Sequence, residues 1–346
     1  MTLQQLFGID LPIVQAPMAG VQGSALAVAV SNAGGLGSLP CAMLGAEALR
    51  QELAAIRSQT DKPFNVNFFC HAPPQASADR DAAWRDALAP FFAELGLDPE
   101  VPAGPRRQPF DAGAADLLAE FRPPVVSFHF GLPAPELLAR VRGWGAKVLS
   151  SATTVDEALW LEARGVDAII AQGLEAGGHR GMFLSDQLDA QVGTFALVRQ
   201  VVQAVKTPVI AAGGIADAQG VAAALALGAA GAQVGTAYLL CPEATTTALH
   251  RQALSSEAAR VTAVTNVFTG RPARGIVNRA IRELGPISEA APAFPLAAAR
   301  MGALRAQAES RGSSDFSPLW AGQNTSGCRE VPAAVLTREL AGRIGC

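Results

Sequence analysis

The sequence is short of several residue types that often build protein sites. Its 346 residues include one tyrosine and only three lysines, Lys62, Lys147 and Lys206, so the basic side chains are mostly arginines. The five cysteines stand far apart, at positions 41, 70, 241, 328 and 346, and no Cys-x-x-Cys pair occurs. Neither a zinc site nor a disulfide framework is therefore expected, and we predict no bound metal.

A large excess of charge and long apolar runs are also missing. The net charge is −3 and no basic stretch stands out, so a nucleic acid is not an expected partner. No apolar run approaches the length of a membrane span, and residues 1–11 lack the charged and apolar regions of a signal peptide. We expect a soluble, cytoplasmic protein with no membrane partner, whose apolar content of 50% is enough for a large core.

Short apolar runs alternate with longer helical patterns along most of the chain, which predicts βαβ units and a parallel sheet. Helices predicted at 24–32, 154–164 and 218–227 each end shortly before a glycine, a common C-terminal cap. These units predict an α/β fold, a (β/α)8 TIM barrel. An open doubly wound sheet is the alternative, disfavoured because no GxGxxG motif follows the first strand. The eight predicted strands cover residues 12–18, 36–40, 64–69, 125–131, 147–152, 167–173, 208–214 and 232–239.

Two segments do not fit the eight-unit rhythm. Residues 70–124, after the third strand, hold nine of the 23 prolines and a helical pattern near 112–120, and we interpret them as an insertion over the top of the barrel. Residues 242–346 include a helical pattern near 247–260 and a Gly/Ser/Asn-rich stretch, so we expect a mainly folded C-terminal extension that caps one face. The predicted domains are a barrel over 1–241 and this extension over 242–346.

Glycines at two predicted strand ends indicate a phosphate site. Gly213 and Gly214 end the seventh strand, and Gly235 and Thr236 lie in the eighth. Barrels frequently bind phosphate with the loops after these two strands, where glycine lets backbone N–H groups face the phosphate oxygens. The glycines alone could also serve only as tight turns, but two such strand ends favour a phosphate-bearing ligand.

Polar residues fall where the barrel interior should be apolar. Because side chains alternate across a strand, Asn67 and His129 are expected to face inward and Phe130 outward. Gln172 ends the sixth strand, at the same carboxyl-end rim where barrel active sites are built. These side chains either satisfy one another or contact a shared polar ligand. A flavin suits, because the donors and acceptors of its pyrimidine edge match amide side chains.

A glycine-rich loop after the sixth strand carries a histidine over the predicted barrel mouth. His179 follows Gly177 and Gly178 and is a candidate general base, the alternative being a histidine that only binds a phosphate or carbonyl group. The next residue, Arg180, is expected either to pair with an anion or to be solvated. The remaining histidines, His71 and His250, are interpreted as structural.

In combination, these motifs resemble the nitronate monooxygenases, formerly called 2-nitropropane dioxygenases, of the first class. The similarity runs from residue 12 to about 323, nearly the whole chain. Its motifs are APMAG at 16–20, AGGLG at 33–37, FHFG at 128–131, EAGGH at 175–179 and WAGQ at 320–323. The first motif alone is weakly specific, whereas the set is highly specific for the superfamily of flavin barrels.

The resemblance implies a flavin mononucleotide (FMN) cofactor, a catalytic role for His179, and a substrate pocket that includes His129, Phe69 and Trp320. Relatives often line this pocket with tyrosines, whereas this chain has only Tyr238, which puts the substrate preference in question. The implied cofactor-binding residues are Ala16, Met18, Ala19, Gly20, Asn67, Gln172, Gly177, Gly178, Gly213, Gly214, Gln233, Val234, Gly235 and Thr236.

The implied activity is the oxidation of an alkyl nitronate, such as propionate 3-nitronate or that of 2-nitropropane, by O2 to a carbonyl compound and nitrite. The partners would be the nitronate or nitroalkane and O2, and a homodimer contact through the extension stays open. An FMN-dependent NAD(P)H enoyl reductase or NADH:quinone reductase of the same superfamily is the alternative. A sugar-phosphate lyase or isomerase is disfavoured, because none of the three lysines falls at the carboxyl end of a predicted strand.

Overall fold

The fold was analysed in a computed structural model that describes residues 2–100 and 108–342. Residues 101–107 of the predicted insertion, Met1 of the predicted barrel and residues 343–346 of the extension lie outside the described residues. The strands are β1 (Ile13–Gln15), β2 (Gly37–Pro40), β3 (Phe64–Phe69), β4 (Val125–His129), β5 (Lys147–Ala152), β6 (Ala168–Gln172), β7 (Gly178–His179), β8 (Val209–Ala212), β9 (Gly231–Val234), β10 (Thr262–Thr265) and β11 (Ala273–Ile276).

Helices connect the strands and build much of the two additional segments. Short 3-10 helices lie at Leu188–Ala190, Thr236–Leu240 and Glu257–Arg260. The α-helices are α1 (Leu3–Phe7), α2 (Ser24–Asn32), α3 (Ala46–Gln59), α4 (Ala78–Leu95), α5 (Ala112–Phe121), α6 (Pro135–Gly143), α7 (Val155–Glu162), α8 (Thr194–Ala204), α9 (Ala218–Ala226), α10 (Ala248–Leu254), α11 (Arg279–Leu284), α12 (Ala298–Ser310) and α13 (Ala333–Ala341).

Eight parallel strands form a barrel in the order β1-β9-β8-β6-β5-β4-β3-β2. The first and last strands of this order meet through a parallel bridge between Val14 and Leu36. Backbone hydrogen bonds of 2.9 Å, from Leu36 N to Ile13 O and from Gln15 N to Leu36 O, complete the join. The predicted (β/α)8 barrel is confirmed, and its strands correspond to β1–β6, β8 and β9.

The last barrel strand is shorter than predicted. The sequence pattern placed residues 232–239 in one strand, whereas β9 ends at Val234 and a 3-10 helix covers Thr236–Leu240. Tyr238 and Leu239 of this helix are buried in the apolar packing between the barrel and the extension. A short apolar run indicates burial but does not separate strand from helix, which explains the difference.

Alternation along the strands sorts the core into two layers. Phe64 and Val66 pack outward against the helices, whereas Val14 and Leu149 belong to an inner cluster that the N-terminal helix α1 joins. The predicted inward orientation of Asn67 is borne out by its hydrogen bond from Nδ2 to Ser127 Oγ, at 2.9 Å. Polar side chains of neighbouring strands thus satisfy one another within the barrel.

The predicted outward orientation of Phe130 is wrong. Strand β4 ends at His129, and Phe130 has a left-handed backbone with φ of 71°. Its ring lies 4.9 Å from that of Phe69 and 5.7 Å from that of Phe294, measured between centroids. The alternation rule holds only while the chain stays extended, so it fails at the first residue beyond the strand.

The insertion and the extension share a second apolar core. The longest helix of the insertion, α4, was not predicted, and its buried Trp84 and Leu88 cluster with Met301 and Leu304 of α12. The helix predicted near 112–120 is confirmed as α5, while the one predicted near 247–260 is divided into α10 and a 3-10 helix. No helix in the described part of the chain is long and apolar enough to cross a membrane.

A small antiparallel sheet joins the glycine-rich loop to the extension. Its strand order is β10-β11-β7, and β7 consists of Gly178 and His179 alone. Ala273 pairs with His179 and Arg274 with Gly178. The loop that carries His179 is therefore fixed by backbone pairing to a segment far along the chain.

Candidate active site

A cavity lies at the carboxyl ends of the barrel strands, the face on which barrel enzymes build their active sites. Most of the predicted site residues line it. They are Ala16, Met18, Ala19, Asn67, Phe69, His129, Gln172, Gly177, Gly178, His179, Gly213, Gly214, Gln233, Gly235, Thr236 and Trp320.

Two residues predicted to bind the cofactor, Gly20 and Val234, are not among those that line the cavity. Val234 is 1% exposed and packs in the apolar cluster between the barrel and the surrounding helices. Gly20 has φ of 85° and lies in the turn that follows β1. The turn needs glycine for its backbone conformation, and only main-chain atoms of Val234 could serve a ligand.

The glycine-bearing ends of β8 and β9 form one end of the cavity. Gly213 and Gly214 have φ of 121° and 72°, and a Cβ on Gly213 would lie 2.7 Å from Thr194 Oγ1. The backbone therefore approaches its neighbours more closely than any side chain would allow. Thr236 Oγ1 accepts a hydrogen bond from Gly322 N at 2.9 Å, which leaves the hydroxyl proton of Thr236 for another acceptor.

The amide side chains at the rim differ in how fully the protein engages them. Gln172 donates from Nε2 to the His179 carbonyl at 3.0 Å, and its Oε1 accepts from Gly181 N at 2.7 Å. Gln233 also lines the cavity, but its buried Oε1 has no hydrogen-bond partner among the described residues. A buried acceptor without a partner is costly, so this amide is suited to a ligand that supplies an N–H group.

His179 stands in the cavity wall among aromatic rings. Its ring centroid is 5.4 Å from that of Phe294 and 5.6 Å from that of Trp320, and Phe69 lies 6.1 Å away. Its Nε2 is 3.0 Å from the hydroxyl oxygen of Thr269. The imidazole therefore has apolar rings beside it and a hydroxyl partner at one nitrogen.

His129 holds the loop as well as lining the cavity. Burial lowers the pKa of His129 to about 4, with a smaller opposing effect from the His179 carbonyl, so the ring is neutral at pH 7. Nε2 lies 3.1 Å from that carbonyl oxygen, which can only accept, so Nε2 carries the proton. Nδ1 then accepts from Ser151 Oγ at 2.9 Å. Both ring nitrogens are thus engaged by the protein.

Arg180 is not solvated, and it forms no ion pair with any described residue, contrary to both expectations. It is fully buried, and it donates to the carbonyl oxygens of Gly173 and Gln172 at 2.7 and 2.8 Å and to Gln191 Oε1 at 2.9 Å. Burial lowers its pKa to about 10, which leaves the guanidinium charged at neutral pH. Arg180 therefore fastens both ends of the loop that carries His179.

Sequence reasoning missed several residues of the site. His250, interpreted as structural, lines the cavity, is 4% exposed and has an Nε2 atom without a hydrogen-bond partner among the described residues. Gly322 and Asn324 reach the cavity from the extension, and Asn324 donates to the Gly214 carbonyl at 2.9 Å. Only the WAGQ motif signalled that the extension enters the site; nothing in the local pattern marked His250.

The chain was compared with known protein families and with individual proteins. The family model described as nitronate monooxygenase matches residues 1–342. A nitronate monooxygenase of Pseudomonas aeruginosa is 47% identical over 339 residues, which covers 97% of each chain. The chain belongs to the nitronate monooxygenase family. The resemblance inferred from the motifs is thereby confirmed, and membership of the family makes the protein an oxidoreductase.

Solved structures support the same placement. The nitroalkane oxidase of Streptomyces ansochromogenes superposes with a TM-score of 0.89 at 41% identity, over 98% of this chain and 96% of that one. FabK of Thermotoga maritima superposes with a TM-score of 0.72 at 29% identity, over 98% and 94% of the two chains. The higher score and identity group this nitronate monooxygenase family member with the nitroalkane oxidase.

Proposed function

We propose that the protein is an FMN-dependent nitronate monooxygenase. It oxidises alkyl nitronates, such as propionate 3-nitronate or that of 2-nitropropane, with O2 to a carbonyl compound and nitrite. The observation that carries the proposal is the position of His179 in the wall of a strand-end cavity. The glycine-bearing strand ends of this cavity, and the buried Gln233 Oε1 that has no partner among the described residues, suit a flavin.

The residues present fit FMN in two respects. Gly213, Gly214 and Gly235 leave the ends of β8 and β9 without side chains, and Thr236 retains a hydroxyl donor, as a phosphate group requires. The Oε1 atom of Gln233 would accept from an N–H group of the flavin pyrimidine ring, which removes the cost of leaving it unpaired. When bound, FMN supplies the electron acceptor for the nitronate and the chemistry with O2.

The protein's own side chains bind and orient the substrate. A protonated His179 donates a hydrogen bond to a nitronate oxygen and offsets its negative charge, whereas a neutral His179 removes the α proton when a nitroalkane binds. Phe69, Phe294 and Trp320 border the imidazole, so its surroundings in the cavity wall are largely apolar. Apolar surroundings strengthen the charge interaction between imidazolium and nitronate relative to water.

The proposal is tested by anaerobic mixing of the purified protein, first with propyl 1-nitronate and then, separately, with NADH. The visible spectrum should show bound flavin, whose absorbance changes rapidly with the nitronate and not with NADH. Nitrite should form once air is admitted. Rapid bleaching by NADH with no response to the nitronate would instead assign the protein to the NAD(P)H-dependent reductases. A colourless protein that does not take up FMN would overturn both assignments.

A further inference from the structure

A buried hydroxyl group is aimed at the imidazole of His179 from the extension. Thr269 is 4% exposed, and its Oγ1 lies 3.0 Å from His179 Nε2, although the two residues are 90 positions apart in the sequence. Thr269 belongs to none of the sequence motifs and to no predicted strand. The contact exists because β7 pairs with β11, which brings the turn before β11 to the cavity wall.

The turn that presents Thr269 is fixed by its backbone. Thr269 N and Gly270 N donate to the Asn266 carbonyl at 3.3 and 2.7 Å. Gly270 has φ of 86°, and a Cβ there would lie 2.0 Å from the Pro292 carbonyl oxygen, so only glycine fits. The backbone position of Thr269 is thus set by the fold of the extension.

The hydroxyl group has an acceptor for its own proton. Thr269 Oγ1 lies 3.4 Å from the carbonyl oxygen of Arg271, which can only accept. When the Thr269 hydroxyl donates to this carbonyl, the lone pairs of Oγ1 are available to accept a hydrogen bond from His179. The bond between the two side chains then runs from Nε2–H of the imidazole to Oγ1 of the threonine.

We propose that Thr269 is a positioning residue that holds neutral His179 in its Nε2–H tautomer and makes Nδ1 the basic nitrogen of the site. The same bond fixes the rotation of the ring between the neighbouring aromatic side chains of Phe294 and Trp320. A third group that orients the base in this way is a recurring feature of acid–base sites. Here an uncharged hydroxyl takes the place that a carboxylate often occupies.

The tautomer decides how a neutral nitroalkane is deprotonated, a step that rests on the proposed function. The α proton passes to Nδ1 of His179, and the electron pair of the broken C–H bond moves into the nitro group to give the nitronate. The imidazolium that forms still donates from Nε2–H to Thr269, so the ring keeps its orientation before and after the transfer. A nitronate supplied as the anion needs no such step.

Two matched variants separate the hydroxyl from the shape of the side chain. Thr269→Val removes the hydroxyl at nearly equal volume, and Thr269→Ser retains it. For Thr269→Val we expect kcat/KM for neutral 2-nitropropane to fall roughly 10- to 100-fold, the range of one acid–base contribution, with the nitronate of the same compound affected less than about threefold. Thr269→Ser should restore most of the loss. Flavin content and melting temperature report on folding.

A spectroscopic measurement tests the tautomer without reference to turnover. The chain has four histidines, so a sample labelled with ¹⁵N-histidine gives four imidazoles, and the His179→Asn variant assigns the relevant one. We expect the Nε2–H tautomer for His179 in the wild type and in Thr269→Ser, and its loss in Thr269→Val. An Nδ1–H tautomer in the wild type, or equal behaviour of the two variants, would overturn the proposal.

The same measurements distinguish an error in the proposed function from an error in the role of Thr269. If the wild type turns over neither the nitroalkane nor the nitronate, the assigned reaction is wrong, while the ¹⁵N spectra still decide whether Thr269 sets the tautomer. If turnover is present and Thr269→Val slows the nitroalkane and the nitronate equally, the reaction stands and the assignment of Nδ1 as the basic nitrogen through Thr269 is wrong.

Discussion

The imidazole of His129 donates a hydrogen bond from Nε2 to the backbone carbonyl oxygen of His179, at 3.1 Å. Gln172 donates to the same oxygen at 3.0 Å. Two side chains, at the ends of β4 and β6, therefore hold one carbonyl group of the loop. The catalytic candidate owes its position to residues whose own polar atoms are engaged by the protein.

Removal of the His129 imidazole should misplace His179 without abolishing the fold. We expect His129→Leu to lower nitronate turnover roughly 10- to 100-fold, because a shift of about 1 Å at a reacting group costs that much. Steady-state nitrite release measures the effect. Ser151→Ala is the matched control, since Ser151 touches only the far nitrogen, Nδ1, and should cost less. Equal losses in the two variants would contradict the assigned role.

Replacement of His179 should remove turnover selectively. In His179→Asn we expect kcat to fall by about 10²- to 10⁴-fold, the usual contribution of one acid–base group, with flavin content and melting temperature close to those of the wild type. Nitrite assays and visible spectra supply the measurements. Loss of stability together with turnover would mean that His179 serves only the fold.

A side chain added at the end of β9 should weaken cofactor binding. A Cβ on Gly235 would lie 3.3 Å from Ala16 Cβ, at the wall of the cavity, so Gly235→Val fills space that the phosphate needs. We expect the Kd for FMN to rise at least about 10-fold, as loss of one charge-assisted contact would give. Gly302→Ala in α12 has no atom within 4 Å of its added Cβ and should leave the Kd unchanged. Titration of the apoprotein with FMN measures both.

Loss of the buried guanidinium of Arg180 should destabilise the folded protein. Arg180→Leu leaves the carbonyl oxygens of Gln172 and Gly173 without these donors, and we expect the free energy of unfolding to fall by about 3 kcal/mol. Arg180→Lys should recover only part, because an ammonium group does not reproduce the planar fork. Urea unfolding measures the change, with the exposed Arg199→Leu as control. Unchanged stability in Arg180→Leu would show that the contacts carry little energy.

Buried neutral histidine should make the protein less stable in acid. Burial lowers the pKa of His250 to about 4, whereas an unfolded histidine titrates near 6.5, so the unfolded state binds the extra proton first. The stability contributed is complete above about pH 6.5 and is lost as the pH falls to about 4, at up to about 1.4 kcal/mol per pH unit. In the apoprotein, His250→Gln should reduce the slope of unfolding free energy against pH in that window. An unaltered slope would contradict the burial of a neutral ring.

The sequence by itself determined the barrel and the type of residues at its rim. Apolar runs of strand length recur eight times because each strand is buried on both faces, and this pattern is local. Alternation predicted that Asn67 faces inward, and the positions of Asn67 and Gln172 near the carboxyl ends of their strands assigned them to the rim. Glycines such as Gly214 mark places where the backbone has a positive φ. Glycine adopts this conformation readily because it has no Cβ, so the sequence itself indicates such places.

Only the tertiary structure decided which distant segments complete the site. The pairing of β7 with β11 brings Thr269 to His179, and the packing of the extension brings His250 and Asn324 to the cavity. The burial of Arg180 was likewise evident only in the structure. Periodicity reports whether a residue faces a core, but not which loop from elsewhere in the chain will lie beside it. That choice depends on how apolar surfaces and backbone hydrogen bonds are satisfied jointly across the whole fold.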